Sequence, residues 1–136
     1  MKHSEFLYGE RETGEINTRP VDFSQAQKDT LLIEDVEILY LLYEVPMTKS
    51  QKMIPKSLHP SVPAILGVTL IQANEEGPLG AFCLAYVGVA CRTGIKPRHF
   101  ITSSFCNSDK ADQFFCSRYG FNCERAEIVL AENYDE

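Results

Sequence analysis

Apolar positions gather into short runs after a polar start, and their spacing sets the expected fold. Residues 1–30 are polar and without periodicity, which predicts an arm that is poorly ordered or loosely docked. Order is expected from residue 31, in LLIEDVEILYLLYEVP (31–46). From Val36 to Val45 this run is dense in Val, Ile, Leu and Tyr, too short for a helical period, and closed by Pro46. It predicts a buried strand. Thr48 or Ser50 then offers a cap for one short helical turn through Ile54, stopped before Pro55.

PKSLHPSVP (55–63) carries three prolines, each fixing φ and removing a donor, so it predicts an extended connection. AILGVTLIQA (64–73) reads as a strand and NEEGPLG (74–80) as a turn. AFCLAYVGVACR (81–92) is apolar on both alternating faces, the pattern of a central strand. TGIKP (93–97) loops into a further strand, RHFITSSF (98–105). Closely spaced strands joined by Gly/Pro turns predict an antiparallel meander.

The pattern changes at NSDKADQFFCSRYG (107–120). Asn107 or Ser108 can cap a helix, Asp109 and Asp112 suit its first turn, and Gly120 suits the left-handed residue after its end. Ala111, Phe114, Phe115 and Arg118 follow helical spacing, an aromatic stripe expected to pack on the sheet. CERAEIVL (123–130) returns as a strand before an acidic tail. The expected class is α+β, mainly an antiparallel sheet with one or two packed helices. The expected domains are the arm, 1–30, and a single domain over 31–136.

Composition narrows the function. A formal net charge of −6 disfavours nucleic acid and anionic membrane, which need clustered positive charge. There is no apolar run of transmembrane length and no apolar stretch near the start fit for a signal peptide, so a soluble, cytoplasmic protein is expected. The 5 cysteines, at 83, 91, 106, 116 and 123, contain no CxxC pair and match no zinc spacing. Cys83, Cys91 and Cys106 are expected as buried free thiols. No metal or cofactor is expected, and GxGxxG, P-loop and GxSxG runs are absent. CRTGIKPRH clusters Arg92, Lys96, Arg98 and His99, which reads either as a carboxylate site or as a solvated turn. Cys123 lies three residues past Gly120 between an expected helix end, Glu124 and Arg125; the mixed field argues against a nucleophile.

Several segments in order resemble the acetoacetate decarboxylase superfamily: IPKSLHPSVP (54–63), a strand, GPLGAFCLAYVGVACR (77–92), a turn, a strand, a helix, and RYGFNCERAEI (118–128). The resemblance covers about residues 36 to 130. It implies part of a cone-shaped β-barrel around a pocket for a small keto acid. In that family an aromatic-Pro-Lys-Lys motif supplies the lysine that forms a Schiff base. Placing Phe121 at the motif's aromatic puts Asn122 at its proline and Cys123 and Glu124 at its lysines, neither able to form an imine. The family's pocket carboxylate falls at Leu84.

The resemblance therefore implies a small-molecule-binding domain that is not an active decarboxylase. Its pocket would be lined by Phe82, Leu84, Tyr86, Tyr119, Phe121, Cys123 and Glu124, with Arg98 or Arg118 for a substrate carboxylate. Two alternatives stand beside it: a lyase using a different catalytic group, and a non-catalytic interaction domain. The family runs to roughly twice this length, so an open sheet edge is expected here. A second copy, another polypeptide, or a half absent from this chain would complete the sheet.

Overall fold

A computed structural model describes residues 7–16, 24, 30–74 and 77–131. Among them the elements run β1 (Val36–Glu44), α1 (Met47–Met53), β2 (His59–Pro60), β3 (Ile65–Ala73), β4 (Phe82–Thr93), β5 (Lys96–Cys106), α2 (Asp109–Tyr119) and β6 (Cys123–Arg125). The strands order as β1-β3-β4-β5-β6, with β2 pairing to β4 off that path. This is an open, mainly antiparallel sheet with two helices, the α+β class that the patterning predicts.

Local chemistry explains the connections. The N–H of Val45, just past β1, donates to the Ala64 carbonyl just before β3 (3.0 Å), which sets these strands antiparallel. β4 turns into β5 through Gly94 and Ile95, with Gly94 at φ 57°; β5 thus begins at Lys96, inside the expected loop. The proline-rich 55–63 is not the continuous extended connection expected: the Leu58 N–H donates to the Pro55 carbonyl (3.0 Å) and closes a turn, and only His59 and Pro60 form a strand, pairing antiparallel with Arg92 and Cys91 of β4. α2 starts at Ser108, whose hydroxyl accepts from the Ala111 N–H (3.3 Å). It ends at Gly120, left-handed at φ 72°, whose N–H returns to the Cys116 carbonyl (2.9 Å).

Four further expectations are corrected. β1 is not buried: eight of its nine residues are exposed, including Ile38 (64%) and Leu42 (57%). Apolar content on both faces reads the same for a central strand and a terminal one, and β1 is terminal. α1 begins at Met47 with no side-chain cap, so Thr48 and Ser50 lie within it. The last strand stops at Arg125 and runs parallel to β5, in register Ser104↔Cys123, because the α2 crossover returns the chain to the same direction. Beyond it, Leu130 is held by the Gln72 side chain, donating to Oε1 (3.1 Å) and accepting from Nε2 (3.3 Å).

The fourth concerns the start of order. Residues 7–16 are docked rather than loose: the N–H groups of Gly9, Glu10 and Arg11 donate to the carbonyls of Leu58, Gln51 and Ile54. Gly9 is required there, since an added Cβ would lie 2.1 Å from the Pro55 carbonyl oxygen. The remainder of the arm lies outside the described residues, apart from Ser24 and Thr30.

The chain forms two compact units. The first comprises residues 7–16, 41–68 and 87–102 of those described, and its core joins Ile54, Val89 and Cys91, with Met53, Leu58 and Phe100 against them. The second comprises 30–40, 69–74, 77–86 and 103–131, with Ser24. Its core joins Ala73, Leu79, Phe82, Leu84, Cys106, Ala111 and Cys123. Leu84 is 1% exposed, so Leu84→Ala is expected to cost about 2–5 kcal/mol. Leu42→Ser, at an exposed site, is expected to cost about 0.5 kcal/mol or less. Urea denaturation of the two variants measures the difference.

Candidate functional site

The second unit builds its site from the aromatic stripe of α2. Phe114 and Phe115 are adjacent, so their side chains diverge around the helix: the rings lie 5.4 Å apart and nearly perpendicular. Phe115 meets Phe82 of β4 at 5.7 Å and Phe121 at 6.0 Å, and Phe121 meets Tyr86 at 5.4 Å. These centroid separations and tilted or edge-on angles are those aromatic pairs favour. Toward solvent, Tyr119 stands 6.2 Å from Phe115 and 6.3 Å from Phe114. The Arg118 guanidinium lies over the Phe114 ring, 4.9 Å from its centre.

At the outer end of this cluster opens a cleft of about 290 Å³, lined by Thr30, Leu31, Ile33, Phe114, Phe115, Arg118 and Tyr119. Leu31 and Ile33 turn inward while Leu32 between them is 70% exposed, the alternation of an extended segment. The volume lies just below the range usual for ligand pockets, about 300–1,000 Å³. The cleft's walls combine aromatic and aliphatic side chains with polar surface from Thr30, Tyr119 and the Arg118 guanidinium.

The predicted pocket residues separate. Arg118 and Tyr119 line the cleft; Phe82, Tyr86 and Phe121 support it through the ring cluster. Leu84, 1% exposed, is core. Arg98 belongs to the first unit, where it is exposed and donates to its neighbour's carbonyl, Pro97 O, at 3.0 Å. Thr30, Leu31 and Ile33 were not foreseen, and Phe114 and Phe115 were foreseen only as packing. The signal that could have found the first three is the inward alternation of residues 31 and 33 beside a helix with an aromatic stripe.

Cys123 and Glu124 line a different hollow of about 180 Å³, with Cys106, Ser108, Asp109, Asp112 and Arg125. Arg125 pairs there with Asp109. Burial, aided by the nearby Asp112 charge and opposed by a hydrogen bond with Ser104, pushes the Cys123 thiol up to about 11. Burial raises the thiols of Cys83, Cys91 and Cys106 as well, and all three are buried and free, as expected. Cys123 is thus a protonated core thiol at neutral pH, which disposes of it as a nucleophile.

The described lysines, at 49, 52, 56, 96 and 110, are all exposed, and none lines the cleft. Lys56 is held above its ordinary value by its hydrogen bond and ion pair with Glu12, the opposite of what an imine-forming amine needs. Among the described residues no cluster of three or more His, Cys, Asp or Glu could hold a metal, and no helix is long and apolar enough to cross a membrane. Comparison with protein-family models, with curated proteins and with solved structures gave no match.

The raised Cys123 value gives a pH signature. An unfolded thiol ionises near 9.0 and the folded one near 11, so the unfolded state loses its proton first as pH rises. The contribution is complete below about pH 9 and lost between about 9 and 11, up to roughly 2–3 kcal/mol. Urea midpoints for the wild type are expected to fall more steeply over that window than those for Cys123→Ala.

Proposed function

We propose that this chain is a non-catalytic small-molecule-binding domain whose cleft takes a small carboxylate with an apolar or keto-bearing body. The observation that carries the reading is Arg118 stacked on Phe114 at the wall of an aromatic cleft. A guanidinium fixed on a ring keeps its planar fork pre-organised for a carboxylate. The resemblance to the acetoacetate decarboxylase superfamily points the same way, toward keto acids. Among the described residues no lysine lines the cleft and the Cys123 thiol is protonated, which supports binding without Schiff-base chemistry. We read the protein as cytoplasmic, a reading supported by its five cysteines, four of them buried and none in a disulfide.

A second reading is favoured by β1. A nine-residue apolar strand at the end of the sheet order, exposed along nearly its whole length, is a surface on which another chain can add a strand. Under this reading the domain joins a partner that extends the sheet.

Thermal-shift measurements with pyruvate, acetoacetate and phenylpyruvate test the first reading, because a ligand selective for the folded state raises apparent stability. Phenylpyruvate is expected to give the largest rise, with Arg118→Gln abolishing it and leaving the unliganded Tm within a few degrees. Borohydride treatment in the presence of acetoacetate is expected to leave the mass unchanged. A lysine adduct would refute binding without imine chemistry.

A further inference from the structure

β1 reads VEILYLLYE, and its exposure is continuous: from Ile38 to Tyr43 every residue is large, apolar or aromatic and at least 37% exposed. Scattered apolar residues on a surface need no explanation, but an unbroken exposed strand of them does. The strand is also close to a palindrome about Tyr40. That symmetry bears on which partner it fits.

A two-fold axis normal to a sheet keeps each side chain on its own face, so directly opposed residues in such a pair share the parity of their positions. Only registers centred on a residue are therefore allowed. Centring on Leu39 sets Glu44 against Glu34, two like charges directly opposed, which is destabilising. Centring on Leu41 leaves the start of the strand without a strand partner and sets Glu44 against Ile38. Centring on Tyr40 pairs all nine residues: Tyr40 with Tyr40, Leu39 with Leu41, Ile38 with Leu42, Glu37 with Tyr43 and Val36 with Glu44. No two acids meet. We infer that β1 pairs antiparallel with β1 of a second copy of this chain, in the register centred on Tyr40.

This inference rests on the open-edge reading and names its partner. Size sets its strength. Ile38 to Tyr43 expose roughly 500 Å² per copy, and edge-to-edge pairing, which leaves both faces of the strand uncovered, buries only part of it, well below the ~800 Å² per partner of a standard interface. The pair is accordingly a reversible dimer that forms with rising concentration, and backbone pairing along the edge supplies its register.

Light scattering of the full chain over a concentration series, with cysteine cross-linking, tests the proposal. The expected mass rises from 15.3 kDa toward twice that value. Opposed strand residues lie about 4.5–5.5 Å apart at Cα, within disulfide reach. Tyr40→Cys should therefore cross-link to itself under mild oxidation. Leu39→Cys and Leu41→Cys should each stay uncross-linked alone and link when mixed, and wild type serves as the control for its native thiols. Ile38→Lys with Leu42→Lys should abolish the dimer, whereas Ile38→Lys with Leu42→Glu should retain it, which separates lost pairing from lost folding. Self-cross-linking of Leu39→Cys or Leu41→Cys in place of Tyr40→Cys, or a dimer that survives the double lysine variant, overturns the proposal. Hydrogen exchange separates the two readings if the protein stays monomeric at every concentration. Fast exchange at the β1 amides that face away from β3 then overturns self-pairing and leaves the edge open to another partner. Slow exchange at those outward amides overturns both.

Discussion

β4 loses water from both of its faces, and the other elements are arranged by that burial. Phe82, Cys83 and Leu84 at its start, and Val89 and Cys91 further along, are each 3% exposed or less. A strand so apolar cannot sit at an edge without leaving that surface wet, so it takes β3 and β5 as neighbours and β2 as well. Each of the two cores contains its own stretch of this strand. Asn107 tightens the second: its side chain accepts from the Cys83 N–H at 2.7 Å, and its own N–H donates to the Cys83 carbonyl at 3.2 Å.

The cleft follows from that core. Phe82 is held by β4, Phe115 packs edge-on against it, and Phe115 in turn sets the positions of Phe114, Phe121 and Tyr119. The ring series therefore grades from fully buried to 62% exposed within one cluster. Arg118 sits at the outer end of the series, with its guanidinium over the Phe114 ring. A loosely packed helix would let the same guanidinium sample many directions and lose the pre-organisation on which the proposed carboxylate site depends.

The hollow around Cys123 uses similar materials to opposite effect. Parallel pairing of β6 with β5 sets Cys123 beside Ser104, within a core that also holds Cys106, and burial there keeps the thiol protonated. The feature that draws the eye in the sequence, two cysteines bracketing an aromatic turn, is chemically quiet. The neighbouring Arg118 and Tyr119 do the work of lining the cleft.

Local signals were enough wherever one residue type has one physical solution. A cap at Asn107 or Ser108, Gly120 as the left-handed stop, β4 as the central strand and the buried thiols follow from capping geometry, backbone sterics and two-faced apolarity, and the structure chose Ser108 of the two caps. The fold class and the aromatic stripe of α2 were legible on the same grounds. Long-range partners decided the rest. VEILYLLYE reads as core by composition, yet stands exposed because it is last in the strand order, and a sequence pattern carries no record of which neighbours arrive. The docking of residues 7–16 depends on carbonyls of Gln51, Ile54 and Leu58, more than 40 positions away. Likewise Arg98 and Arg118 were equal candidates as residue types, and the tertiary fold separated them, setting Arg118 in the wall of an aromatic cleft and leaving Arg98 exposed and bonded to its neighbour's carbonyl.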